Sequence, residues 1–177
     1  MGLQPSTVRD YGEDTAEQFR SRFAALSPPN GRVEDLYVID CTDFGHDDHA
    51  SEAPTCTSTT PPDLTGVGIC LSKGYDQFGT PGGQMVLLDN LSTLLVYSEV
   101  DRVVRFVSTI NNRIAELGDS TVQLLDTDVV DDVDKNKLLK LFSTVIQVKQ
   151  ADGETRFRLR GATETSWLDY PVQGENR

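Results

Sequence analysis

Three acids stand at the ends of apolar runs: "LYVID" ends in Asp40, "MVLLD" in Asp89 and "VQLLD" in Asp126. A buried strand can deliver such a carboxylate to the edge where ligands sit in open α/β sheets, and in phosphate-binding proteins that acid holds magnesium. Phosphate chemistry also needs a cradle. The run G-x-x-x-x-G-K-[ST], whose backbone amides wrap the phosphates while its lysine reaches them, is absent from the chain. "LSKGYD" sets a lysine beside a glycine, but in the wrong order and inside an expected helix. The structural alternative is a strand-end acid that opens a loop and bonds to local backbone.

Two further groups carry chemistry by residue type. "CTDFGHDDHASEAPTC" gathers Cys41, Asp43, His46, Asp47, Asp48, His49 and Cys56. Two histidines could meet at one metal, with carboxylates or thiolates completing the set. The C-x4-H-x2-H-x6-C spacing lacks paired cysteines, so the expectation is a solvated acidic loop with no metal. Cys41 and Cys70 read as buried small apolar residues, and the sparse set of three cysteines does not suggest a disulfide framework. In "GETRFRLRG" the period of a strand puts Arg156, Arg158 and Arg160 on one face and Phe157 and Leu159 on the other. A solvent-facing hairpin with solvated arginines is the alternative to a functional basic face.

The elements that must position these residues follow from apolar spacing. A helix is expected over Thr15–Ala25, with Phe19, Phe23 and Leu26 on one side. Strands are expected over Leu36–Asp40, Gln84–Asp89 and Ser120–Asp126, the first two buried. Cys41–Pro62 reads as a polar loop. Asp63 is placed to cap a helix with apolar positions Leu64, Val67, Leu71, Tyr75 and Phe78. A longer helix spans about Glu99–Leu117, and "DDVDKNKLLKLF" gives another, with acids first and lysines later as the macrodipole prefers. A hairpin then turns around Asp152-Gly153, and the tail with Trp167 and Tyr170 packs back on the sheet. Strands alternating with helices imply a mostly parallel sheet covered on both faces, and hence one edge for Asp40, Asp89 and Asp126.

Length suits one domain over the 177 residues, and no apolar run is long enough to cross a membrane. The N-terminus lacks an apolar signal core, so the expectation is a soluble cytoplasmic protein. Acids outnumber bases 28 to 16, for a net charge of −12. Such a surface repels nucleic-acid phosphates and anionic membranes. Abundant Asp and scarce Lys also fit the acidic surfaces of salt-loving archaea.

"MVLLDNLSTLLVYSEVDRVVRFVSTINNRI" resembles the Walker B strand and following helix of RecA-like and KaiC-like ATPases, and the hairpin ending "RFRLRG" is similar to the end of their core domain. "PPDLTGVGICLS" with "LLVYSEVDRVVRFVSTINNRI" looks like a haloarchaeal group of degenerate RecA-like proteins. The resemblance implies an α/β fold with a mostly parallel RecA-like sheet flanked by helices and a C-terminal antiparallel hairpin. It implies a core over about residues 15–160 and a tail over 161–177. If "VRDYGEDTAEQFRSRF" matches the family's second strand and helix, the chain starts after the phosphate loop. Asp89, with Asp40 and Asp126 beside it, would then be a Walker B-like acid without a cradle, and neither a catalytic residue nor a cofactor is expected. In KaiC-like ATPases a K-x-R-G run at the hairpin reaches a neighbouring subunit's nucleotide; here Arg158 and Arg160 stand in it, with arginine for lysine. The function so implied is a regulatory or assembly partner, either of an intact RecA/KaiC-like ATPase or through self-association. The alternatives are a nucleotide-dependent enzyme with an unrecognised phosphate site and a recombinase-related DNA-handling protein, the latter opposed by the net charge.

Overall fold

A computed structural model describes residues 16–26, 36–41, 55–57, 63–78, 83–151 and 153–170. The backbone divides into two compact units, Met1–Val130 and Asp131–Arg177.

In the first unit the elements run α1 (Ala16–Leu26), β1 (Val38–Asp40), β2 (Thr55–Thr57), α2 (Leu64–Phe78), β3 (Met85–Leu88), α3 (Leu91–Tyr97), α4 (Val100–Glu116) and β4 (Ser120–Gln123). The expected helices at Thr15–Ala25, after Asp63 and at Glu99–Leu117 are present within a residue or so. Asp63 caps α2 as its position suggests, its carboxylate accepting the Gly66 N–H at 2.8 Å. Helix α2 buries Leu64, Cys70 and Gly74. Gly74 is needed for space, since a Cβ there would lie 2.9 Å from Cδ1 of Tyr37. The Tyr37 ring in turn meets Phe78 edge to face at 6.4 Å.

Helix α4 carries the strongest periodicity, and Val103, Val107, Ile110 and Ile114 form its buried row. Each such side chain contributes roughly 1.5–3 kcal/mol through burial. The helix stops at Gly118, whose φ of 76° few other residues adopt. There the Gly118 and Asp119 N–H groups return to the carbonyls of Ala115 and Ile114.

Strands β3 and β4 pair in parallel, Met85 opposite Ser120 through Leu88 opposite Gln123. Helix α4 lies on the Thr121 and Gln123 side, where the Gln123 amide donates to Asn111 at 2.7 Å. The other side shows Met85, Leu87 and Val122 exposed. The expectation of a buried β3 is therefore corrected: an apolar run reads as buried only when both of its faces are covered, and here one is. Helix α3 was not expected. Nor was β2, which lies inside the stretch read as a polar loop and pairs in parallel with β1.

The cysteine expectation is also corrected. Cys56 and Cys70 form a disulfide that ties β2 to α2, with Cα atoms 5.6 Å apart. Cys70 is buried as expected, but as half of a bridge; Cys41 is the free thiol.

The second unit holds α5 (Asp132–Leu139), β5 (Thr144–Ala151), β6 (Glu154–Gly161) and β7 (Leu168–Asp169). Asp131 caps α5, accepting from the Val133 and Asp134 N–H groups at 2.9 Å. The hairpin forms where expected, turning at Gly153 with φ 80°. The tail returns as β7 against β6. The molecule is thus mixed α/β with a C-terminal antiparallel sheet. Among the described residues the parallel strands form two separate pairs, β1 with β2 and β3 with β4. No described helix is long and apolar enough to cross a membrane.

Candidate functional site

The end of the β3–β4 pair is where the sequence placed its acids. Both strands run the same way, so Asp89, one residue beyond β3, and Asp126, three beyond β4, lie at the same C-terminal edge. The backbone closes this edge tightly. Leu124 N–H donates to the Leu88 carbonyl at 3.0 Å, and Leu91 N–H to the Leu124 carbonyl at 2.9 Å. Between them the Asp89–Asn90 peptide is cis.

Buried polar side chains lock the edge. Asn90 caps α3, its side-chain oxygen accepting from the Thr93 N–H at 2.8 Å and from the Thr93 hydroxyl at 3.1 Å. Ser92 Oγ accepts the Asp126 N–H at 2.8 Å, and its hydroxyl is 3.4 Å from the Asp126 carbonyl oxygen. Sequence reading missed both residues. For Asn90 the signal was present: Asn directly ahead of the apolar positions Leu91, Leu94 and Leu95 is a helix start.

The three acids have different jobs. Asp126 Oδ1 accepts the Asp128 N–H at 2.9 Å, which makes it a loop-forming acid. Asp40 belongs to the separate β1–β2 pair, and its Oδ2 accepts the Ala16 N–H at 2.9 Å, at the start of α1. Among the described residues no strand pairing brings Asp40 to the edge shared by Asp89 and Asp126. Asp89 is exposed. Beside β1, the Cys41 thiol is pushed up to about 11, by burial first and then by the Asp40 and Asp63 carboxylates. A thiol held that far in its neutral form is a poor nucleophile near neutral pH. Among the described residues, no three or more His, Cys, Asp and Glu side chains are grouped to hold a metal ion. His46 and His49 lie outside the described residues.

The hairpin brings the arginines together. Register opposes Gln147 to Arg158, Lys149 to Arg156 and Val145 to Arg160, which sets these side chains on one face. Arg156 is held by Asp169 at 2.9 Å and by Glu154 at 2.8 Å. Arg158 Nε donates to the Gln147 side chain at 2.6 Å. Arg158 and Lys149 both lie over the Trp167 ring, 4.7 Å and 4.2 Å from its centre. Such contacts contribute about 0.5–1 kcal/mol at exposed sites and fix the direction of the side chains. Arg160, the last of the row, is exposed and has no ion-pair or hydrogen-bonding partner among the described residues. Phe157 and Leu159 occupy the opposite face, half-buried rather than in a closed core.

No curated protein matches the chain. A model of a family of unknown function, DUF7504, matches residues 8–148, from ahead of α1 into β5, and the chain belongs to that family.

Proposed function

We propose that the protein is a catalytically degenerate RecA-like domain that works as a regulatory or assembly partner, with an intact RecA/KaiC-like ATPase on the other side of the contact. The observation that carries the reading is the basic row on β6. Arg156 is spent on two carboxylates and Arg158 is braced by Gln147 and Trp167, which leaves Arg160 exposed beside a braced neighbour. The braced Arg158 guanidinium can meet a phosphate or carboxylate of a neighbouring molecule at little ordering cost, and Arg160, on the same face of the strand, can add a second contact.

The acid edge supports the same reading from the other direction. Asp126 is engaged with its own loop, and the sequence offers no phosphate cradle near Asp89. A nucleotide held by one exposed carboxylate lacks the contacts that position and neutralise its phosphates. The acidic surface suits a protein of concentrated brine, so the contact has to be sought in strong salt.

Two measurements test the reading. Labelled ATP with magnesium should show no tight binding to the purified chain; micromolar affinity that is lost in Asp89→Ala would overturn the degenerate assignment. An ATPase partner retrieved at high salt should be stimulated by the chain, and Arg158→Gln with Arg160→Gln should abolish that stimulation while lowering stability by only about 1–2 kcal/mol, the loss of the Arg158 hydrogen bond to Gln147 and of its contact with Trp167, with the exposed Arg160 adding little. Unchanged stimulation would leave the arginines as surface charge.

A further inference from the structure

The sheet of the second unit has two unlike faces. Opposite the arginines, register aligns Ile146 with Leu159 and Val148 with Phe157, and Phe157 with Leu168 on β7. Tyr170 meets Phe157 edge to face at 6.4 Å. On this face Ile146 is 63% exposed, Val148 65%, Leu168 41% and Tyr170 58%. Apolar side chains exposed one at a time are ordinary, but a contiguous set across three paired strands marks a contact surface.

Charge says what fits it. The face's outer positions on β5 and β6 include Thr144, Gln150 and Thr155, polar but uncharged, and its centre is apolar. Residues 131–177 hold eight acids and eight bases, which leaves 20 acids and eight bases in residues 1–130. The whole net charge of −12 therefore belongs to the first unit, and the second is neutral. A strongly charged partner would strip water from its charges against a face that offers none in return. A second copy presents the same uncharged rim and apolar centre, and the two copies meet through units that carry no net charge.

We propose that this face is the contact between two copies of the chain, sheet against sheet, in an isologous dimer. The arrangement fixes an unusual response to salt. The two acidic units repel one another at low ionic strength, and added salt screens that repulsion while strengthening apolar burial. The dimer therefore tightens as salt rises, where a contact built on ion pairs would loosen.

Sedimentation of the full chain over a wide concentration range, in a potassium chloride series, tests the proposal. The expected result is a monomer–dimer equilibrium whose Kd falls with salt. Val148→Asp sets like charges against each other across the contact and should weaken it at least about tenfold. Ile146→Gln, a milder change at an exposed strand position, should weaken it in the same direction and guards against misfolding of the first variant. Arg160→Gln, on the opposite face, should leave the equilibrium unchanged. A monomer under every condition, a dimer that both face variants leave intact, or a dimer that loosens with salt would overturn the proposal.

Discussion

Breaking the Cys56–Cys70 bridge should reveal how the β1–β2 pair is held. That pair is three residues long on each side and parallel, a pairing slightly weaker per residue than an antiparallel one. The bridge closes a sequence separation of 14 residues. Chain-entropy arithmetic for a loop of about 15 residues gives about 3 kcal/mol of stabilisation, most of it through the unfolded state. For a chain of this size, each kcal/mol moves Tm by about 2–4 °C, so losing the bridge should lower it by roughly 6–12 °C. Cys56→Ser is the cleaner change, because Cys70 is buried and a hydroxyl placed there would add an unsatisfied-polar cost of about 1–3 kcal/mol of its own. Detection matters as well. The single tryptophan, Trp167, sits in the second unit, whereas the bridge lies in the first, so its fluorescence is not a direct report on the bridge. Far-ultraviolet dichroism, together with hydrogen exchange in α2, should be followed instead. Reduced wild type and Cys56→Ser should melt together, below the unreduced protein, and the variant should not respond to reductant. Thiol titration of the unfolded, unreduced chain should find one free cysteine; finding three, or a melt indifferent to reductant, would refute the reasoning.

Three other outcomes follow from the same unit. Gly74→Ala gains about 1 kcal/mol of helix propensity but drives a Cβ to within 2.9 Å of the Tyr37 ring, an overpacking that typically costs about 1–3 kcal/mol, so the net change in a urea melt should be destabilising. In a Tyr37→Ala background the same substitution should become stabilising, and if it still destabilises, the ring contact is not the cause. For pH, the groups to watch are Cys41, raised from 9.0 to about 11, and Tyr75, raised from 10.0 to about 12 by burial and by the Asp119 carboxylate beside it. Both are neutral when protonated and both are raised on folding, so the stability tied to them is complete below pH 9 and drains away as pH climbs through 9–11 for Cys41 and 10–12 for Tyr75. Alkylation of native Cys41 at pH 8 should run about a hundredfold slower than that of an ordinary thiol, in proportion to its thiolate; reaction at the ordinary rate would contradict the burial.

What the sequence disclosed tracks the range of the interactions involved. Asp63 as a cap, the row Val103, Val107, Ile110 and Ile114, and the turn at Gly153 are set by residues within a few positions of one another, and all three were legible. The disulfide was not, because Cys56 lies on a strand too short to show a period and its partner belongs to another element. Helix α3 hid in "LSTLLVY", an apolar run that suits a strand or a helix equally until the Asn90 cap is recognised. Exposure of Met85 and Leu87 was illegible for a different reason: side-chain type states a preference, whereas burial also depends on what covers each face. Most instructive are Asp40 and Asp126. Both follow apolar runs, yet one accepts a helix N–H from 24 positions away and the other an N–H two positions on. The sequence could list these acids but could not assign them.

Alternation along β6 makes the two proposed contacts separable. Because successive side chains point to opposite faces, Arg158 and Arg160 can be changed without touching Val148 or Ile146, and the reverse. Trp167 sharpens the separation, since it sits under Arg158 and Lys149 on the basic face. An ATPase that engages the arginines must disturb the cations over that ring, and the tryptophan signal should follow. A copy of the chain that docks on Ile146 and Val148 leaves those cations in place. The tryptophan signal therefore discriminates between the two faces. If a partner shifted it equally in wild type and in the Arg158→Gln, Arg160→Gln variant, the contact would have to lie off the basic row, and the role drawn from the arginines would fall while the dimer face stood untouched.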